Sequence, residues 1–133
     1  IDDAGETQVI PFKSLMLNSV VYGNYNNEIQ TKFDETDPAS YGYVFKNCLL
    51  KQRVTEVLNP PYEACIFNGK PLFLFEKGEQ ERPHVYDFHV ASGSAVIGIG
   101  NNEYVTPDLV LDLDGNNRLS DGSCDAGCYE YVQ

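Results

Sequence analysis

Asn68-Gly69 stands between two apolar runs, Ala64 to Phe67 and Lys70 to Phe75. Asn-Gly readily takes the two positive φ angles of a type I′ turn, so the pair predicts a β-hairpin and with it an antiparallel sheet. Further strand candidates follow at short intervals: His84 to Val90, Ser94 to Gly100, Asp108 to Leu113 and Cys128 to Val132, each rich in β-branched or aromatic residues. No helical pattern separates them, which again favours antiparallel pairing. Upstream, Phe12, Leu15, Met16, Val20 and Tyr22 stand near helical spacing, with Pro11 suited to a helix start and Gly23 to its end. The expected fold is therefore α+β: one helix over about 11–22, packed on an antiparallel sheet of four to six strands spanning about 62–133. Residues 43–52 and 53–58 read as short apolar segments of either type, ended by Asn59-Pro60-Pro61, and the pattern shows neither an internal repeat nor a low-complexity tract.

The length of 133 residues suits a single domain, 1–133, with a true core. Nine basic residues against twenty acidic ones give a net charge of -11, which excludes nucleic acid and anionic membranes as natural partners. Seven of the acids lie beyond Asn101, opposed only by Arg118, and such a field either repels itself or holds cations.

Within that region Asp112, Asp114 and Asn116 alternate, followed by Arg118, Ser120, Asp121 and Asp125. Alternating oxygen side chains, with a carbonyl such as that of Arg118, can wrap one calcium ion over 112–125. An EF-hand is ruled out, because Gly115 and Asn117 fall at the wrong positions and Ser123 stands where a bidentate glutamate is required. The alternative is a plain turn in which Asp and Asn cap their own backbone while Gly115 and Asn117 take left-handed conformations.

Cys48, Cys65, Cys124 and Cys128 lack Cys-x-x-Cys spacing and read as two disulfides, in an oxidising compartment. Sequence leaves three connectivities open; nearest neighbours would pair Cys48 with Cys65 and Cys124 with Cys128. No sequon and no apolar run of membrane-spanning length occurs, and Ile1 reads either as a mature N-terminus or as a trimmed edge. His84 and His89 would point to opposite faces of one strand and cannot share an ion unaided. Ser94 lacks the nucleophile-elbow context and no pattern places a cleft around the acids, so no enzyme is expected.

The run from Ser92 to Gly122, closed by Cys128 to Val132, resembles the C-terminal part of type IV pilin and type II secretion pseudopilin heads. Val110-Leu111-Asp112-Leu113-Asp114-Gly115 corresponds to the apolar-x-Asp-x-Asn-Gly strand of those heads with Asp114 in place of the asparagine, Gly122 to the loop glycine and Tyr129 to Val132 to the closing strand. Leu119 and Ser120 replace the proline and asparagine of the pattern, and the family's apolar N-terminal helix is absent. The resemblance covers about forty residues and implies a non-enzymatic extracellular or periplasmic structural subunit, assembling with other pilin-like subunits into a filament and reaching a membrane only through a helix outside this sequence. A second expectation is a calcium-dependent adhesion or carbohydrate-binding β module, with Tyr22, Tyr25, Tyr104, Tyr129 or Tyr131 stacking on a sugar.

Overall fold

A computed structural model describes residues 13–30, 42–53, 62–75 and 86–133. The expected segments over 1–12, 31–41 and 54–61, together with His84, lie outside them. The architecture is built from one local unit used three times. Strand β1 (Ser14–Leu17) bends at Asn18 into β2 (Val20–Val21). Strand β3 (Tyr43–Lys46) bends at Asn47 into β4 (Leu49–Leu50), and β5 (Tyr62–Glu63) bends at Ala64 into β6 (Ile66–Phe67). Asn18, Asn47 and Ala64 have φ of 44°, 53° and 49°. One left-handed residue turns the chain sharply, and asparagine tolerates that region because its short amide bonds locally. The next residue, Ser19, Cys48 or Cys65, is small enough to fit inside the bend.

The three units stack in parallel. Ser14 pairs with Tyr43 and Phe45 with Tyr62 in one sheet, ordered β1-β3-β5, while Val20 pairs with Leu49 and Leu49 with Ile66 in the other, ordered β2-β4-β6. This is a short parallel β-solenoid, in which each rung buries apolar surface against the next. Alternation sorts the side chains. Met16, Phe45 and Tyr62, with Val21, Leu50 and Phe67, fill the interior around buried Cys48; the Phe45 and Tyr62 rings stack at 5.5 Å. On the outer side of the first sheet Lys46 and Glu63 pair at 2.7 Å.

Val20, Leu49 and Ile66 point the other way, into a second core formed with Val90, Val96 and Ala126. The second sheet is thus buried on both faces, as parallel sheets usually are. The covering segment is held by the bends themselves. After β7 (Phe73–Phe75) pairs antiparallel with β8 (Asp87–Val90), the chain runs back along the corners from the third rung to the first. Ala91 N–H donates to the Leu72 carbonyl (2.9 Å) and Ala95 N–H to that of Lys70 (3.0 Å). Asn47 Nδ2 donates to the Ile99 carbonyl (3.0 Å), and Asn18 Nδ2 to that of Asn101 (3.0 Å), whose N–H returns to Asn18 Oδ1 (2.8 Å). Each corner asparagine therefore sets the bend and supplies a rung to the strip. Gly100 lets the strip pass close to the segment of Cys124 and Asp125, because a Cβ there would lie 2.5 Å from Cys124 Sγ.

The α+β expectation is corrected. Residues 14–17 and 20–21 are strands, not a helix over 11–22, and helical structure among the described residues is limited to two 3₁₀ turns, Asn102–Tyr104 and Pro107–Leu109. The apolar spacing that fits a helix also fits strand alternation, and pairing of the β-branched Val20 and Val21 with Leu49 and Leu50 decides it. The expected antiparallel sheet gives way to two parallel three-stranded sheets and one antiparallel pair. Asn68 does have a positive φ of 56°, but it joins no hairpin: β6 pairs with β4 and β7 with β8. Residues 94–100 and 128–132 form turns and extended chain instead of strands, and Leu111 contributes only one bridge, to Asn117.

Candidate functional site

Two features stand out, an aromatic groove and the polar knot beside it. The groove has a volume of about 380 Å³ and lies where the first bend meets β7, β8 and the chain end, with Tyr22, Phe73, Phe88 and Tyr129 among its walls. Antiparallel pairing sets Phe73 against Val90, which brings the Phe73 ring edge-on to Phe88 at 5.3 Å. Tyr22 meets the other side of Phe73 at 6.5 Å, and Tyr86 stacks on Phe88 at 6.0 Å. Tyr86 and Phe88 are 49% and 46% exposed, so this ladder presents ring faces to solvent. Lys51 Nζ sits 4.7 Å above the Tyr22 ring.

At the rim, His89 stacks on Tyr129 with ring centroids 3.8 Å apart. Asp87 lies two positions earlier on β8 and shares its face, so its Oδ1 meets His89 Nδ1 at 2.5 Å, while Asp114 Oδ2 reaches His89 Nε2 at 2.7 Å. The Asp114 contact, then that with Asp87, raises the His89 pKa above its ordinary value. The backbone N–H of His89, then its ring, lowers that of Asp87. With both ring nitrogens engaged, His89 offers no free base for proton transfer.

The polar knot contains most of the residues that alternate along the acidic loop. Asp112 Oδ1 accepts from the N–H groups of Asp114 (2.9 Å) and Asn116 (2.8 Å), and its Oδ2 from Asn116 Nδ2 (3.0 Å) and Glu130 N–H (2.9 Å). Burial works to raise its pKa, yet these donors together lower it. Buried Asp125 accepts from Gly98 N–H (2.7 Å) and Tyr131 N–H (2.7 Å). Glu130 accepts from Asp125 N–H (3.0 Å) and from Arg118, whose second nitrogen donates to the Cys128 carbonyl (2.9 Å). Desolvation, with the charge of Asp125, pushes Glu130 up to about 7 despite Arg118.

The residues expected around one ion are thus distributed among separate tasks. Asp112, Arg118 and Asp125 belong to the knot and Asn116 caps it. Asp114 turns outward to His89. Ser120 N–H donates to the Asn117 carbonyl (3.1 Å), and Asp121 Oδ1 accepts from Ser123 N–H (3.4 Å). The loop carries the backbone-capping bonds of an Asx turn, with Gly115 at φ 85°; Asn117 stays outside the left-handed region. Among the described residues no group of three His, Cys, Asp or Glu side chains is placed to hold a metal. Cys48, Cys65, Cys124 and Cys128 are not joined by disulfides in this structure.

Of the tyrosines singled out for stacking, Tyr22 and Tyr129 meet in the groove. Tyr25 is exposed elsewhere, Tyr104 borders a cleft of about 260 Å³ with Leu17 and Arg118, and Tyr131 borders a polar cleft of about 670 Å³ with Asp121 and Glu130. Phe73, Tyr86 and Phe88, which complete the ring ladder, are outside the sequence expectation; the aromatic density of Phe73-Leu74-Phe75 and Tyr86-Asp87-Phe88 is the signal that points to them.

Three shifted groups, His89, Glu130 and Asp112, shape the pH response. His89 and Glu130 have folded pKa values above their unfolded ones, so their contributions are present at low pH and are lost as pH rises through the folded values, about 7 for Glu130. Asp112 acts oppositely, its contribution being lost only as pH falls below the ordinary carboxylate range. The melting temperature is expected to be higher at pH 5.5 than at pH 8.5, and Glu130→Gln should flatten the slope; an unchanged slope in that variant would refute the assignment. No protein-family model, curated protein or solved structure matches this chain.

Proposed function

We propose that this chain is a non-enzymatic, secreted carbohydrate-binding β module, with the groove of Tyr22, Phe73, Phe88 and Tyr129 as the sugar site. The single observation that carries the reading is the concave surface walled by half-buried Tyr22, Phe73 and Tyr129 and exposed Phe88, extended by the exposed Tyr86 ring and flanked by the partly exposed carboxylates of Asp87 and Asp114. Ring faces pack on the apolar faces of pyranoses, and carboxylates accept from vicinal hydroxyls; a site with aromatic walls and a few placed polar groups is the ordinary form of a small-ligand pocket. A net charge of -11 disfavours polyuronates and sulfated glycans, so the expected ligand is a neutral glycan. The filament-subunit expectation loses one of its supports, the N-terminal helix, since residues 14–17 and 20–21 form solenoid strands.

Calorimetric titration with neutral glucan, xylan, mannan and galactan oligosaccharides tests this reading. Saturable binding to at least one is expected, with Tyr129→Ala or Phe88→Ala weakening it about tenfold, the worth of one good aromatic contact. No saturable binding to any of them would sink the proposal. Affinity unchanged in EDTA is expected, since backbone N–H groups occupy the oxygens of Asp112; loss of binding in EDTA would favour calcium-dependent adhesion.

A further inference from the structure

The rung geometry puts chemistry at the bends. Because Leu49 and Ile66 are in parallel register, the residues just before them, Cys48 and Cys65, are neighbours at equivalent bends of adjacent rungs. Adjacent strands lie about 4.8 Å apart, inside the range of about 4.4–6.8 Å between Cα atoms that a disulfide bridges. The two sulfurs occupy matching places in their bends, Cys48 Sγ meeting the Lys46 carbonyl at 3.2 Å and Cys65 Sγ that of Glu63 at 3.4 Å. Cys48 is fully buried, whereas Cys65 is only partly so. We propose that Cys48 and Cys65 form a redox-dependent crosslink between the second and third rungs, made by exchange with a low-molecular-weight disulfide such as oxidised glutathione.

The asymmetry of the pair assigns the roles. Cys65 is partly exposed where Cys48 is fully buried, and its neighbour Cys48 lowers the Cys65 thiol, so Cys65 is the attacking group. Its sulfur attacks one sulfur of oxidised glutathione, breaking that bond and releasing one glutathione as thiol. The Cys48 thiol is raised first by its neighbour Cys65 and then by burial, and the first of these influences disappears once Cys65 is in the mixed disulfide. Cys48 then gives up its proton and attacks the Cys65 sulfur, and the departing glutathione takes up that proton. Two protein thiols become one disulfide while one glutathione disulfide becomes two thiols. Cys124 and Cys128 are poorer candidates: burial raises both, and Cys124 Sγ accepts from Asn18 Nδ2 at 3.5 Å.

Incubating the native full chain with oxidised glutathione at pH 7.5, followed by peptide mass mapping and thermal melting, tests the proposal. Expected are a loss of two hydrogens, one linked peptide pair joining Cys48 to Cys65, and a melting temperature higher by on the order of 10 °C than that of the reduced protein. Cys65→Ser, or Cys65→Ala if serine impairs folding, should abolish the link and the rise, while Cys124→Ser and Cys128→Ser keep both. A glutathione adduct on Cys65 that never resolves, or a bridge joining Cys124 to Cys128 with the other two still thiols, would overturn it.

Discussion

Replacing Arg118 with methionine is expected to destabilise the protein by about 3–5 kcal/mol at pH 8, the usual cost of removing one partner of a buried pair. The Arg118 and Glu130 side chains are only 13% and 7% exposed. The guanidinium also satisfies the Cys128 carbonyl, so the variant leaves a buried charge and a carbonyl acceptor without their donor. Because Glu130 titrates near 7, protonation at pH 5.5 should recover part of the loss, and adding Glu130→Gln should recover it at both pH values. Urea denaturation of the two variants at the two pH values measures this. A loss under about 1 kcal/mol at pH 8, the level of an exposed pair, would show that the knot does not hold the chain end.

Leu49→Ala should cost about 2–5 kcal/mol through lost transfer energy and a residual cavity. Leu49 is fully buried on the central strand of the second sheet, flanked in register by Val20 and Ile66 and packed with Val90, Val96 and Ala126. Little around it can collapse, since both cores meet at this sheet. Leu111→Ala and Leu113→Ala provide the contrast: these side chains are 55% and 74% exposed, and their loss should stay within about 0.5 kcal/mol. Equal effects at Leu49 and Leu113 in denaturant titration would contradict the placement of the second core.

That contrast shows where sequence reading stops. Asp108 to Leu113 has the alternating apolar pattern of a core strand, yet its leucines face solvent and its aspartate faces inward, because Asp112 finds four donors that no pattern announces. The β character was legible in the valines, phenylalanines and tyrosines, and so was the turn around Gly115. The solenoid was hidden by unequal spacing. Leu17-Asn18-Ser19-Val20-Val21, Lys46-Asn47-Cys48-Leu49-Leu50 and Glu63-Ala64-Cys65-Ile66-Phe67 are one structural unit, but the loops between them differ in length and the third replaces asparagine by alanine. A fixed period is what exposes most repeat folds, and this chain has none. Of the groove, Tyr22 and Tyr129 were legible as candidates. Their meeting with Phe73 and Phe88 was not, because it depends on the strip folding back over the rungs.

The return of that strip also bears on how the chain is made. Asn18 and its partner Asn101 are 83 positions apart, and a ribosome adds about 5–20 residues per second, so the early rungs emerge several seconds before their cover. During that interval Val20 and Leu49 are bare to the cytosol of the producing cell or to the translocation machinery. Yield in a living host should therefore track how well nascent rungs are shielded by chaperones, and slowing translation late in the message should raise the aggregated fraction.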